Sequence, residues 1–99
     1  MSMPTAGADQ RHDLPTACFS VQAAPDPSVM PRVLELFAKR GLVPSRWYGD
    51  AGRPGRLTID IQVDGLDGHA TDYLANCMRQ IAYVDSVLVS QKARVADAA

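Results

Sequence analysis

Two histidines and two cysteines are the residues best able to do catalytic or metal chemistry in this 99-residue chain. They are badly placed for either. His12 lies in a polar N-terminal stretch, and His69 sits near Asp67 and Asp72 at the start of an expected helix. A solvated helix-start histidine is the plain account of that trio. Cys18 falls inside an alternating strand pattern, where a small half-buried residue is ordinary, and Cys77 is far from it. There is no CxxC and no His/Cys cluster, so no metal site is expected. Asp60 and Asp64 are a strand residue and a turn residue without an identifiable acid–base partner. The chain is therefore read as non-catalytic, with no cofactor.

The more telling stretch is "PDPSVMPRVLELFAKRGL", residues 25–42. Met30, Val33, Leu34 and Phe37 recur at the spacing of one helix face, and Leu36 widens it. Lys39 and Arg40 suit the negative end of the helix dipole, and Gly41 is the expected left-handed stop. Asp26 and Ser28 both qualify as the cap. Pro31 decides between them: a cap at Ser28 puts the proline third, where its missing N–H costs no ladder bond. The helix is thus expected to begin after Ser28, with "PDP" as an extended lead-in. A helix start carries unpaired N–H groups and a positive dipole end, which suit a carboxylate.

The surrounding elements follow from periodicity. "TACFSVQA", 16–23, alternates with a period of two and predicts a strand whose apolar face includes Phe19. "VPSRWYGD", 43–50, predicts a less regular strand with Pro44 at its start. "AGRPG", 51–55, is a turn, and "RLTIDIQV", 56–63, is the clearest strand, so the two runs form a hairpin. A second helix is expected over 67–82 with the stripe Ala70, Tyr73/Leu74, Cys77/Met78 and Ile81. "SVLVS", 86–90, predicts a last short strand. The order β-α-β-β-α-β predicts an α+β, ferredoxin-like fold: a four-stranded antiparallel sheet with two helices on one face.

Composition excludes several classes. Formal net charge is −1 with the signs intermixed, so the basic footprint of a nucleic-acid binder is missing. Phe19 faces the core and the other central strand has no aromatic, which removes base stacking. No apolar run reaches the ~20 residues that span a bilayer, and no cationic–apolar leader opens the chain. A cytoplasmic protein with reduced thiols is expected. Residues 1–14 and 92–99 read as tails around a domain over 15–91. A core of roughly 80 residues buries only about 60–65% of its unfolded surface, so pairing with another chain is expected. Pro44, Trp47 and Tyr48 are the candidate interface residues, with Trp47 and Tyr48 on opposite faces of their strand.

Three runs carry a family resemblance. They are "DPSVMPRVLELFAKRGL" followed by "VPSRW", then "RLTIDIQV", then "LANCMRQIAYVDSVLV". Together they resemble the ACT domain over about 15–91, and most of all the small regulatory subunits of acetolactate synthase. The resemblance implies a homodimer that regulates or activates a large catalytic acetolactate synthase subunit in branched-chain amino acid biosynthesis. It implies docking of a small amino acid effector at Asp26, Pro27, Ser28, Val29 and Met30, with Val43 after the glycine stop. Two departures stand out. Ser28 replaces a glycine that lets ligand approach the backbone, and Val43 replaces a polar residue, typically Asn. Both imply the short, feedback-insensitive type, with weak or absent valine binding. A free-standing amino-acid sensor and a ligand-free oligomerisation module are the alternatives.

Overall fold

The computed structural model describes residues 14–93. Six elements run in the order β1 (Thr16–Ala23), α1 (Val29–Lys39), β2 (Arg46–Asp50), β3 (Leu57–Val63), α2 (Gly68–Arg79) and β4 (Val84–Lys92). All strand pairs are antiparallel, in the spatial order β2-β3-β1-β4. The expected ferredoxin-like arrangement is therefore present. The stretches expected as tails lie almost wholly outside the described residues.

Period two decides which side of the sheet is dry. Ala17, Phe19, Val21 and Ala23 on β1 and Leu57, Ile59, Ile61 and Val63 on β3 are buried. Burying a side chain of this size contributes about 1.5–3 kcal/mol. The one ion pair among the described residues, Glu35–Lys39 at 3.8 Å, is exposed at both ends. Such pairs contribute about 0.3–0.5 kcal/mol, so the apolar face holds the fold. Phe19 of β1 meets Phe37 of α1 edge-on, with centroids 6.0 Å apart and planes at 71°. Buried Thr16 and Thr71 have partners for their hydroxyls: Thr16 donates to Asp64 at 2.7 Å and Thr71 to the Asp67 carbonyl at 2.8 Å.

The helices are rotated from the expected faces. In α1 the buried residues are Val29, Val33 and Phe37, with Leu36 partly covered. Met30 and Leu34, expected in the core, are 37% and 42% exposed. Val29 is apolar too, and the sheet selects the stripe that begins with it. In α2 the buried set is Thr71, Leu74, Ala75 and Met78. Small residues there let the helix lie close to β4 and β1. Tyr73 is half exposed instead, and the Arg40 guanidinium lies 4.2 Å above its ring, bridging the helices.

The ends of the elements also moved. β2 starts at Arg46, not 43, and Ser45 N–H opens its pairing by donating to the Gln62 carbonyl at 2.8 Å. α2 stops at Arg79, because Gln80 and Ile81 close it with i→i−3 bonds to Cys77 and Met78. β4 is longer than expected because it pairs with β1 from Thr16↔Lys92 to Ala23↔Val84. Gly41 is the left-handed stop as expected, at φ 69°. Its N–H bonds to the Ala38 carbonyl and that of Leu42 to the Phe37 carbonyl, a Schellman close.

Among the described residues, the opposite side of the sheet carries no helix. Register places its side chains in three rows: Arg46–Gln62–Cys18–Ser90, Tyr48–Asp60–Ser20–Leu88 and Asp50–Thr58–Gln22–Ser86.

Candidate functional site

The loop from β1 into α1 is built around one carboxylate. Ala24 N–H donates to the Tyr83 carbonyl at 2.9 Å, which ties the loop to the turn before β4. Tyr83 holds that position at φ 77°, a left-handed conformation uncommon for a bulky residue. Asp26 then folds back. Its Oδ1 accepts from the Ser28 N–H at 2.9 Å and from the Ser28 hydroxyl at 2.7 Å. Its carbonyl accepts from the Val29 N–H at 3.1 Å.

Ser28 is the N-cap by position, as Pro31 required, but its side chain makes no capping bond to the helix. The hydroxyl turns back to Asp26 instead. The supply of helix-start donors is now countable. The N–H of Ser28 and that of Val29 are used, Pro31 has none, and Arg32 N–H enters the helix ladder at the Ser28 carbonyl, 3.3 Å away. Among the described residues at this start, only the Met30 N–H is left for an outside group. The two Ser28 bonds, hydroxyl first, hold the Asp26 carboxyl below its ordinary value, and Arg32 adds to the effect. An anion already stands at the positive end of α1. The sequence placed the obstruction in the Ser28 side chain; in the structure Asp26 is the obstruction, and Ser28 holds it there.

The other candidate residues separate. Pro27 is exposed and Val29 is fully buried, so Val29 presents only backbone. Met30 lies across β2, with its Sδ 3.2 Å from where a Cβ on Gly49 would be. Val43 is 85% exposed, beyond the far end of α1. An 11-residue helix is about 16 Å long, so one chain does not bring Val43 to the Ser28 end. A ligand touching both needs a second copy. On β2, Trp47 pairs with Ile61 and packs partly against the core, while Tyr48 pairs with Asp60 and stands exposed on the open face. Pro44 is half-buried ahead of that strand.

Among the described residues, no three His, Cys, Asp or Glu side chains gather as a metal site. No helix among them is long and apolar enough to cross a membrane.

A ferredoxin-like sheet with a braced loop at the first helix start defines the class, a small α+β domain. Residues 10–96 match the ACT-like domain family, and the chain belongs to that family. ACT domains are generally regulatory, ligand-binding modules without catalytic function of their own. Solved structures agree on the fold. The ACT domain of the GTP pyrophosphokinase of Chlorobium tepidum is similar in crystal form, with TM-score 0.67, 12% identity, and 76% of this chain and 96% of that chain covered. Its solution structure gives TM-score 0.67, 13% identity, and coverage of 80% and 88%. The C-terminal domain of the MgtC protein from Mycobacterium tuberculosis gives TM-score 0.66, 12% identity, and coverage of 88% and 96%. No curated protein matches the chain.

Proposed function

We propose that this chain is a non-catalytic regulatory subunit whose α1 start is closed to amino acids by its own Asp26. The finer assignment is the small subunit of acetolactate synthase, of the kind that activates or stabilises a large catalytic chain without strong valine feedback. Family membership and the "RVLELFAKRGL" run support the assignment. The observation that carries the closed start is the pair of Ser28 bonds to Asp26, which leaves one free backbone donor where a carboxylate ligand would want several. Met30, Leu34 and Val43 leave apolar surface uncovered on the single chain, which supports association.

The test has two arms. Mixed with an acetolactate synthase large subunit, the chain is expected to comigrate on size exclusion and raise its activity. Separate migration with unchanged activity removes the acetolactate synthase assignment. In the second arm, valine at millimolar concentration is expected to leave the Val29, Met30 and Arg32 amide resonances unmoved. Saturable shifts there would instead favour an amino-acid sensor working at α1. A ligand-free oligomerisation module is the remaining alternative. It predicts a stable homodimer with no catalytic partner.

A further inference from the structure

A second charged feature lies on the other side of the sheet, away from α1. Arg53-Pro54-Gly55-Arg56 is a tight turn in the β2–β3 hairpin. Arg56 N–H donates to the Arg53 carbonyl at 3.1 Å, and Gly55 sits at φ 74°. A type II turn requires a positive φ at its third residue, here Gly55, and favours proline at its second, and a β-turn brings its first and fourth residues within 7 Å at Cα. Here those residues are both arginines. Both side chains line one cavity of about 370 Å³ on the open face.

Neither guanidinium is held in a direct salt bridge among the described residues, although Asp50 and Asp60 line the same cavity. Arg56 is instead positioned: its Nη1 donates to Gln22 Oε1 at 3.3 Å, and Thr58 donates to that oxygen at 3.0 Å. One edge of the guanidinium is thereby fixed and its other N–H groups remain. Asp50 is engaged with the Gly52 N–H at 2.8 Å. Asp60 has no hydrogen bond or ion pair among the described residues. It follows Thr58 by two residues on the same strand face, a step of about 7 Å. Tyr48 stands directly opposite it on β2.

We propose that this cavity binds a small zwitterion, a molecule carrying a carboxylate and an ammonium group a few ångströms apart, of the α-amino acid class. The carboxylate lies against the Arg53/Arg56 pair, where planar groups match two-pronged donors. The ammonium lies against Asp60, and Tyr48 covers the remainder. A bare phosphate fits less well, because Asp50 and Asp60 repel a dianion. The site is distinct from the α1 start, and a closed start leaves it unaffected.

The test is an amide NMR titration of the full chain with each of the twenty amino acids. Acetate, methylamine and inorganic phosphate serve as single-charge probes. At least one amino acid is expected to shift Gln22, Arg56, Thr58 and Asp60 saturably, with the three single-charge probes much weaker. Arg56→Gln, Arg53→Gln and Asp60→Asn are each expected to weaken that binding about tenfold, the loss of one charge-assisted contact. These are surface changes, and an unchanged spectrum elsewhere verifies the fold. No shift with any amino acid overturns the proposal. So does phosphate binding as well as the best amino acid, or affinity within twofold of the parent in all three variants. Shifts confined to 28–32 would overturn both this site and the closed helix start, whereas shifts at 56–60 alone leave the closed start intact.

Discussion

The Ser28 hydroxyl points away from its own helix and donates to the Asp26 carboxylate at 2.7 Å. The cap residue and the acid two places before it act as a unit. The acid supplies the charge at the positive end of α1, and the serine sets its direction.

That arrangement fixes a titration. Asp26 is expected to lose its proton below the ordinary 3.8. A depressed carboxyl stabilises the folded state above its unfolded value, and the contribution disappears as pH falls through the lowered folded value. The α1 start should therefore loosen only below about pH 3.8, seen as broadening of the Val29 and Met30 amides. Ser28→Ala removes the leading cause of the shift. A carboxyl carbon titration should then place Asp26 higher than in the parent; an unchanged value would show that the hydroxyl does not hold it.

The two helices should respond differently to loss of their cap side chains. Asp67 accepts from the Ala70 N–H at 2.7 Å, a bond made directly to α2. Asp67→Ala is expected to cost about 1 kcal/mol in urea unfolding. Ser28 makes no such bond to α1. Ser28→Ala should stay within about 0.5 kcal/mol, as for an ordinary surface change. Equal losses would contradict the difference in cap geometry.

Phe37 is 1% exposed and closes edge-on against Phe19. Phe37→Ala is expected to cost about 3–5 kcal/mol, enough to leave so small a domain largely unfolded by circular dichroism at room temperature. Gly49→Ala makes the contrasting case. The new methyl meets Met30 Sδ at 3.2 Å, and the thioether is flexible enough to yield. Its cost should stay below about 1 kcal/mol; a larger loss would show that Met30 is pinned between α1 and β2.

Arg40 over Tyr73 links the helices through an exposed cation–π contact. Arg40→Gln and Tyr73→Leu combined in a double-mutant cycle should couple by about 0.5–1 kcal/mol. Zero coupling would leave Tyr73 as a simple surface aromatic.

The sheet was readable because β1 and β3 alternate cleanly, and one face of each had to be dry. The helix faces were not. In α1, Val29 and Met30 both begin an apolar stripe, and no local signal separates them. Only packing on the sheet buries Val29, Val33 and Phe37 and leaves Met30 and Leu34 partly exposed. In α2 the more apolar Tyr73 and Cys77 mask the polar Thr71 and the small Ala75, which are the residues that face the sheet. Pro31 did locate the start of α1. The return of Ser28 to Asp26 needed coordinates, since either residue could cap alone. The Arg53/Arg56 cavity was out of reach because β1 reaches it only through sheet order, by way of Gln22.

Thr16 pairs with Lys92, so the described domain begins and finishes at one corner of the sheet. Joining those ends would need only a short tether, and opening the chain at the 51–55 turn would then give a circular permutant of the same fold. A domain with its two flanks side by side can also be spliced into a loop of a host protein without pushing that loop apart.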